Sequence, residues 1–175
     1  MRRDLIIQRP ATALPALWLD IGDERLVVSS RPDGTGETGQ RLDLGASRIA
    51  RDFFHHDPPT AREIERAIDA VEDQIMRLDR QRDTGRPLWS QSKTLQPWAA
   101  VSGRTMTLEI VEQWFERLAL AAQGRSDALD RLPPGREAAA ALLVLREFMH
   151  HRGHPSIHVV DPRPSLADRS QGDDH

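Results

Sequence analysis

Residues 16–30, ALWLDIGDERLVVSS, and residues 40–56, QRLDLGASRIARDFFHH, decide the fold. The first stretch holds two apolar bursts, Ala16-Leu17-Trp18-Leu19-Asp20 and Leu26-Val27-Val28, either side of Gly22-Asp23-Glu24-Arg25. Short apolar or β-branched runs bounded by turn residues read as buried strands. The second stretch alternates, with Leu42 and Leu44 on one face. It changes to helical period at Ser47, with Ile49, Phe53 and Phe54 turned inward. Residues 32–36, Pro-Asp-Gly-Thr-Gly, make a turn between the second and third strands. Three strands joined by short links predict an antiparallel meander that feeds a helical layer.

Outward from there, Asp57-Pro58-Pro59 stops the first helix, and Thr60 with Glu63 forms a capping box. The helix it opens, over 60–79, sets Ile64, Ile68, Val71, Ile75 and Leu78 at steps of four and three, a face for packing on the sheet. Its other face, with Glu65, Asp69 and Glu72, gives no sign of a site. Residues 88–92 read as a fourth strand, and the next stretch, with Pro97 and Gly103, as irregular chain. Thr107 caps a helix with Ile110, Val111, Trp114, Leu118 and Ala122 inward. Pro133-Pro134-Gly135 opens a last helix, with Ala138, Ala141, Leu142, Leu145 and Met149 inward and Gly153 as its stop. Residues 156–160 form a fifth strand. Residues 1–14, without period, read as an N-terminal arm, and the Pro-, Ser- and Asp-rich residues 163–175 as a disordered tail. The expected fold is therefore one α/β domain over 15–162. Its five-stranded mixed sheet has order 3-2-1-4-5, with strand 2 antiparallel to the others and helices on both faces.

Composition bounds the rest. At 175 residues, 38% hydrophobic and 29% charged, the chain has the apolar material of one folded domain. Cysteine is absent, which excludes disulfides, thiol catalysis and Cys-ligated metal. No window approaches the ~18 apolar residues of a membrane span. The net charge of −3 gives no basis for a nucleic-acid partner. We expect a soluble cytoplasmic protein. The basic residues are 23 arginines and a single lysine, Lys93, and the scattered arginines read as partners of acids.

Four segments carry a resemblance. They are Leu19-Asp20-Ile21-Gly22; Leu42-Asp43-Leu44-Gly45-Ala46-Ser47-Arg48-Ile49 with Phe53-Phe54; Met106-Thr107-Leu108-Glu109; and Leu132-Pro133-Pro134-Gly135-Arg136-Glu137-Ala138 through Ile157-His158-Val159-Val160-Asp161. In order and spacing they resemble the second, ribonuclease H-like half-domain of the exopolyphosphatase/guanosine pentaphosphate phosphohydrolase (Ppx/GppA) family, in the actin/hexokinase/Hsp70 class. The resemblance implies a phosphate-binding site at Asp20, Gly22, Ser92, Lys93 and Thr94, and Mg²⁺ if the chain is active. It also implies a cleft between two half-domains, with the water-activating acid on the first half, which this chain is expected to lack. The chain departs from the family pattern D-I-G-G-G-S, because Asp23-Glu24-Arg25 follows Gly22. Glycines let backbone N–H groups approach phosphate, whereas these carboxylates repel it. Ser92-Lys93-Thr94 likewise stands, without glycine, for the family's second loop.

The expected function is that of a degenerate, non-catalytic binding or interaction module with no cofactor. The alternatives are a Mg²⁺-dependent phosphoanhydride hydrolase completed by a partner half-domain or by dimerisation, and a purely structural dimer. Asp23 and Glu24 read as solvated turn residues, and Arg136 as a salt-bridge partner of Glu137 or Asp130. His150, His151, His154 and His158 are spaced too irregularly for a zinc set, and His55-His56-Asp57 reads as a helix end. Trp18, Trp89, Trp98 and Trp114 read as core candidates; the alternative for Trp98, which follows Pro97, is that with Leu88, Trp89 and Leu95 near the loop ends it forms a surface for a homodimer or a separate half-domain protein.

Overall fold

In a computed structural model of the protein, residues 15–31, 39–78 and 85–162 are described. The expected arm, the turn at 32–36 and the tail lie outside the described residues. The chain runs β1 (Leu17–Ile21), β2 (Leu26–Ser29), β3 (Gln40–Leu42), α1 (Ala46–Phe53), α2 (Ala61–Ile75) and β4 (Leu88–Ser90). It continues through α3 (Gln96–Ser102), β5 (Thr105–Thr107), α4 (Leu108–Ala122), α5 (Arg136–Arg152) and β6 (Ser156–Val159). The sheet order is β3-β2-β1-β4-β6-β5. β2 is antiparallel to β1 and β3, β1, β4 and β6 are parallel, and β5 is antiparallel to β6. The expected order therefore holds through five strands, and a sixth closes the edge. Three residues, Thr105–Thr107, are too short to show a strand period. Thr107 ends that strand and also caps α4, its hydroxyl accepting from the Ile110 amide.

Alternation along the strands separates two faces. Leu17, Leu19, Ile21, Leu26, Val28, Leu88, Met106, Ile157 and Val159 are buried together with the helices in one core. The helix that fills this core is α5, whose residues from Ala139 to Leu145, then Glu147, Phe148 and Met149, are all buried. A helix apolar on every side belongs in an interior. The other four helices pack around it. α2 packs chiefly against α5 and α1, with Ile64, Val71 and Ile75 buried in the shared core and Ile68 only partly buried. The opposite face carries a half-buried ladder. Trp18 and Trp89 stand 5.9 Å apart between ring centres, and Trp89 and His158 4.9 Å.

The stretch after β4, expected to be irregular, holds α3. Pro97 sits in its first turn, where its missing N–H costs nothing, and Gly103 stops it with φ 93°. This helix turns Trp98 inward. The indole is 1% exposed, its N–H donates to the Ala138 carbonyl at 2.9 Å, and its ring meets Trp114 edge-on. Leu88 and Leu95 are equally buried. The core reading of Trp98 therefore holds, and the alternative in which Trp98, Leu88 and Leu95 form an exposed interaction surface does not. These side chains close the core beneath the loops. We predict that Trp98→Ala lowers unfolding stability by ~3–5 kcal/mol, the usual loss for emptying a buried aromatic site. Urea unfolding checks it, and a variant as stable as the parent would contradict this packing.

A candidate anion cleft beside a closed loop

The loop between β1 and β2 is where the sequence places its phosphate candidates, and it is folded onto α1. Gly22 closes the turn by donating to the Arg25 carbonyl. The Gly22 carbonyl accepts from the Ala46 amide at 2.8 Å, and the Asp23 carbonyl from the Arg48 amide at 3.0 Å. Those amides belong to the first turn of α1, whose N–H groups have no partner inside the helix. Glu24 reaches the same helix. Arg51 donates to both of its oxygens, at 2.8 and 3.2 Å, and this hydrogen bond holds the Glu24 carboxyl below its usual range. The side chains of Asp23 and Glu24 are solvated as expected, but the backbone of the loop is not free.

The segment after β4 locks the same place from the other side. Ser92 is buried, and its Oγ accepts from the Ile21 amide at 2.8 Å and stands 3.1 Å from Asp20 Oδ1. Ser90 Oγ lies 2.8 Å from Ser92 Oγ, and Thr94 Oγ1 donates to the Ile21 carbonyl at 2.6 Å. The hydroxyls expected to meet a phosphate thus stitch the end of β1 to the loop after β4. Asp20 is exposed and faces Ser92. Asp20, Asp23 and Glu24 do not converge into a cation cluster. Among the described residues the trio that does converge is Glu72, Glu147 and His151, between α2 and α5. The Mg²⁺ implied by the resemblance does not fit this loop.

Lys93 and Thr94 do border an open cleft of about 710 Å³, lined also by Ser47, Ala50, Arg51, Asp57, Pro97 and residues 134–138. The N-terminus of α5 opens into it, Gly135 taking φ 96° at the cap with no side chain capping the first amides. Three cations and two acids line the cleft, and most already have partners. Arg51 holds Glu24, and Ser47 Oγ donates to Glu137 Oε1 at 2.9 Å. Arg136 donates to the Phe54 carbonyl at the end of α1, not to Glu137 or Asp130 as expected. Among the described residues, Lys93 is the lining cation whose side chain has no partner. Ser47 and Arg51 were not anticipated. Their i, i+4 spacing on α1 was the available signal, since it puts both on one face.

The histidines disperse. His154 is buried with its ring stacked on Phe148, 5.7 Å between centres, and His158 lies on the open sheet face, 3.0 Å from Thr105 Oγ1. His56 Nδ1 lies 2.8 Å from Glu63 Oε1. Glu63 completes the predicted capping box and also accepts from the amides of His55 and Thr60. Burial opposes its ionisation. The His56 hydrogen bond and the two amides outweigh burial and lower the carboxyl from 4.5 to about 2.

A sequence model of the Ppx/GppA phosphatase family matches residues 15–161. The chain belongs to that family. No curated protein matches the chain. Among solved structures, the PPX-GPPA enzyme of Aquifex aeolicus superposes with a TM-score of 0.63 at 16% identity, covering 85% of this chain and 54% of that one. An exopolyphosphatase-like protein gives 0.64 at 18% identity, covering 90% and 59%. The exopolyphosphatase of Cytophaga hutchinsonii gives 0.63 at 16%, covering 85% and 55%. These likenesses show the fold, and this chain spans little more than half the length of those proteins.

Two predictions follow from the closed loop and its neighbour. A Cβ on Gly45 would stand 2.1 Å from the Asp23 carbonyl oxygen and 2.3 Å from the Glu24 carbonyl carbon. Gly45→Ala must therefore lift the loop off α1, and we expect a loss of at least ~1–3 kcal/mol, the usual cost of overpacking, measured by urea unfolding. The second concerns pH. Because the folded-state pKa of Glu63 is depressed, its contribution is present above about 4.5 and lost as pH falls towards about 2. Thermal melts should show Glu63→Gln well below the parent at pH 6 and the gap narrowing below pH 4.5. A gap that does not change with pH would contradict this assignment.

Proposed function

We propose that this Ppx/GppA family member is a non-hydrolytic anion-binding module whose site is the Lys93 cleft at the N-terminus of α5. The observation that carries this reading is the closure of the 22–25 loop on the first turn of α1. The amides of Gly22, Ala46 and Arg48 are taken by carbonyls and have nothing to offer an oxyanion, and two exposed carboxylates beside them repel one. The cleft has the opposite character. A helix N-terminus with uncapped amides favours negative charge, and Lys93 and Arg136 border it. The ligand class is a phosphate-bearing anion, bound without Mg²⁺. Of the five residues first assigned to phosphate, Lys93 keeps a direct role. Thr94 lines the cleft beside it, and Ser92, Gly22 and Asp20 lie outside the lining.

A second reading is a phosphoanhydride hydrolase completed by a separate half-domain protein or by a second copy of this chain. It draws on one observation, that the structural relatives are about one and a half times as long. In either reading the protein works in the cytoplasm, and a partner covers the cleft end of the sheet. Among the described residues no helix is long and apolar enough to cross a membrane.

The test uses tripolyphosphate as the probe. We expect calorimetry at low salt to show binding that Lys93→Ala weakens about 10-fold, the scale of one charge-assisted contact, while Asp20→Asn leaves it unchanged. Phosphate release from polyphosphate with Mg²⁺ is expected to stay at background. Turnover that Asp20→Asn abolishes would overturn the proposal in favour of the hydrolase.

A further inference from the structure

A separate polar cluster lies on the seam of α2, α4 and α5. His151 Nε2 stands 2.7 Å from Glu72 Oε1 and 3.3 Å from Glu147 Oε2, and the three ligand atoms all fall within 4.8 Å of one another. Glu147 and His151 share one face of α5 through their i, i+4 spacing, and Glu72 reaches across from α2. Glu147 is 2% exposed. A buried carboxylate is retained when it is paired or binds metal. Its other oxygen is held by Arg146 Nη1, and Arg146 Nε donates to Glu112 of α4 at 2.9 Å. The ion pairs of this seam therefore set three carboxylates, Glu72, Glu112 and Glu147, against one guanidinium.

We propose that the seam is a divalent transition-metal site of the zinc class, with His151 Nε2, Glu72 Oε1 and Glu147 Oε2 as ligands. Ligands at ordinary Zn–N and Zn–O lengths stand ~3.3–3.5 Å apart around a tetrahedral ion. The 3.3 Å between His151 Nε2 and Glu147 Oε2 matches that spacing. The 2.7 Å to Glu72 Oε1 is a hydrogen-bond length, and the half-exposed Glu72 has to draw back by more than half an ångström to admit an ion. A divalent ion offsets the two carboxylate charges that Arg146 leaves unbalanced. The imidazole selects zinc-like ions over Mg²⁺ and Ca²⁺, which prefer all-oxygen sites. Glu147 is pre-oriented by Arg146, the outer contact that metal-ligating carboxylates usually have. Glu72 is 41% exposed at its side chain, so the fourth position opens to water. The bound ion joins α2 to α5. The sequence hid this site. Only His151 belonged to the histidine set, and Glu72 lay on a helix face that gave no sign of one.

The full chain, stripped with EDTA and dialysed, is titrated with ZnCl₂ by calorimetry at pH 7.5 and followed by thermal melting. We expect one Zn²⁺ per chain and a raised Tm, with no rise in Mg²⁺ or Ca²⁺. His151→Gln and Glu72→Gln should each weaken binding by at least ~10–100-fold, a loss that outer partners of a metal alone often produce. Glu72→Gln is nearly isosteric and half exposed, so an unchanged circular dichroism spectrum confirms that it folds. Absence of Zn²⁺ binding would overturn the proposal. So would binding of full strength in both variants, which moves the ion to other histidines.

Discussion

The carbonyls of Gly22 and Asp23 accept the first free amides of α1, and the arrangement around the candidate site follows from that contact. Helix N-termini need acceptors, and an anion, a side chain or a carbonyl can serve. Here the chain supplies its own. To bring two backbones that close, the residue before α1 has no room for a side chain, which accounts for Gly45 at an unexceptional φ of −79°. It also draws Glu24 within reach of Arg51, and it leaves Ile21 to be held by Ser92 and Thr94. The loop thereby spends its carbonyls on α1, and its Gly22 amide is turned onto Arg25. In the proposed reading, charge recognition falls to the next helix terminus, that of α5.

The second constraint is α5 itself. A helix buried on every side has no solvent face along which to slide or tilt, so its ends are placed by the packing of its middle. Its N-terminus is aimed into the cleft by Ala139 to Leu145, and its C-terminal turn presents His151 beside Glu72. Trp98 contributes at the first of these ends. Its indole N–H holds the carbonyl of Ala138, itself a lining residue of the cleft. Both polar sites of the described structure thus hang on one apolar helix, and neither is built on a loop alone.

The fold was legible where period and punctuation agree. Leu17, Leu19 and Ile21, the capping box at Thr60 and Glu63, and the left-handed stop at Gly153 are local signals with local physics. β5 was not legible, because three residues define no alternation and the sheet partner Ile157 lies 51 positions from Met106. α3 was hidden by a rule misapplied. Pro97 and Gly103 were read as breakers, although proline in a first turn and glycine at a stop are compatible with a helix between them. The site was half legible. Lys93 stood out as the only lysine, and the loop after β4 was correctly singled out. That the hydroxyls of Ser92 and Thr94 would turn to β1 depends on contacts across more than 70 residues, which no local pattern encodes.

The arginine bias of the chain gains a physical sense from the same contacts. Several arginines do not simply pair with acids. They clamp carbonyls that secondary structure leaves open. Arg136 takes Phe54, the C-cap of α1; Arg152 takes Leu78, just beyond α2; Arg117 takes Asp127, Ala128 and Asp130; Arg86 takes Pro15 and Ala16 at the entry to β1. A planar guanidinium with five donors suits this work, because it can serve two or three carbonyls at once and stays charged throughout. Lysine is a point charge on a flexible stem and makes a poor clamp. Among the described residues, the one lysine stands at the rim of the cleft with its ammonium free. A mobile, strongly hydrated cation is suited to an anion that comes and goes, and a rigid fork to a carbonyl that stays.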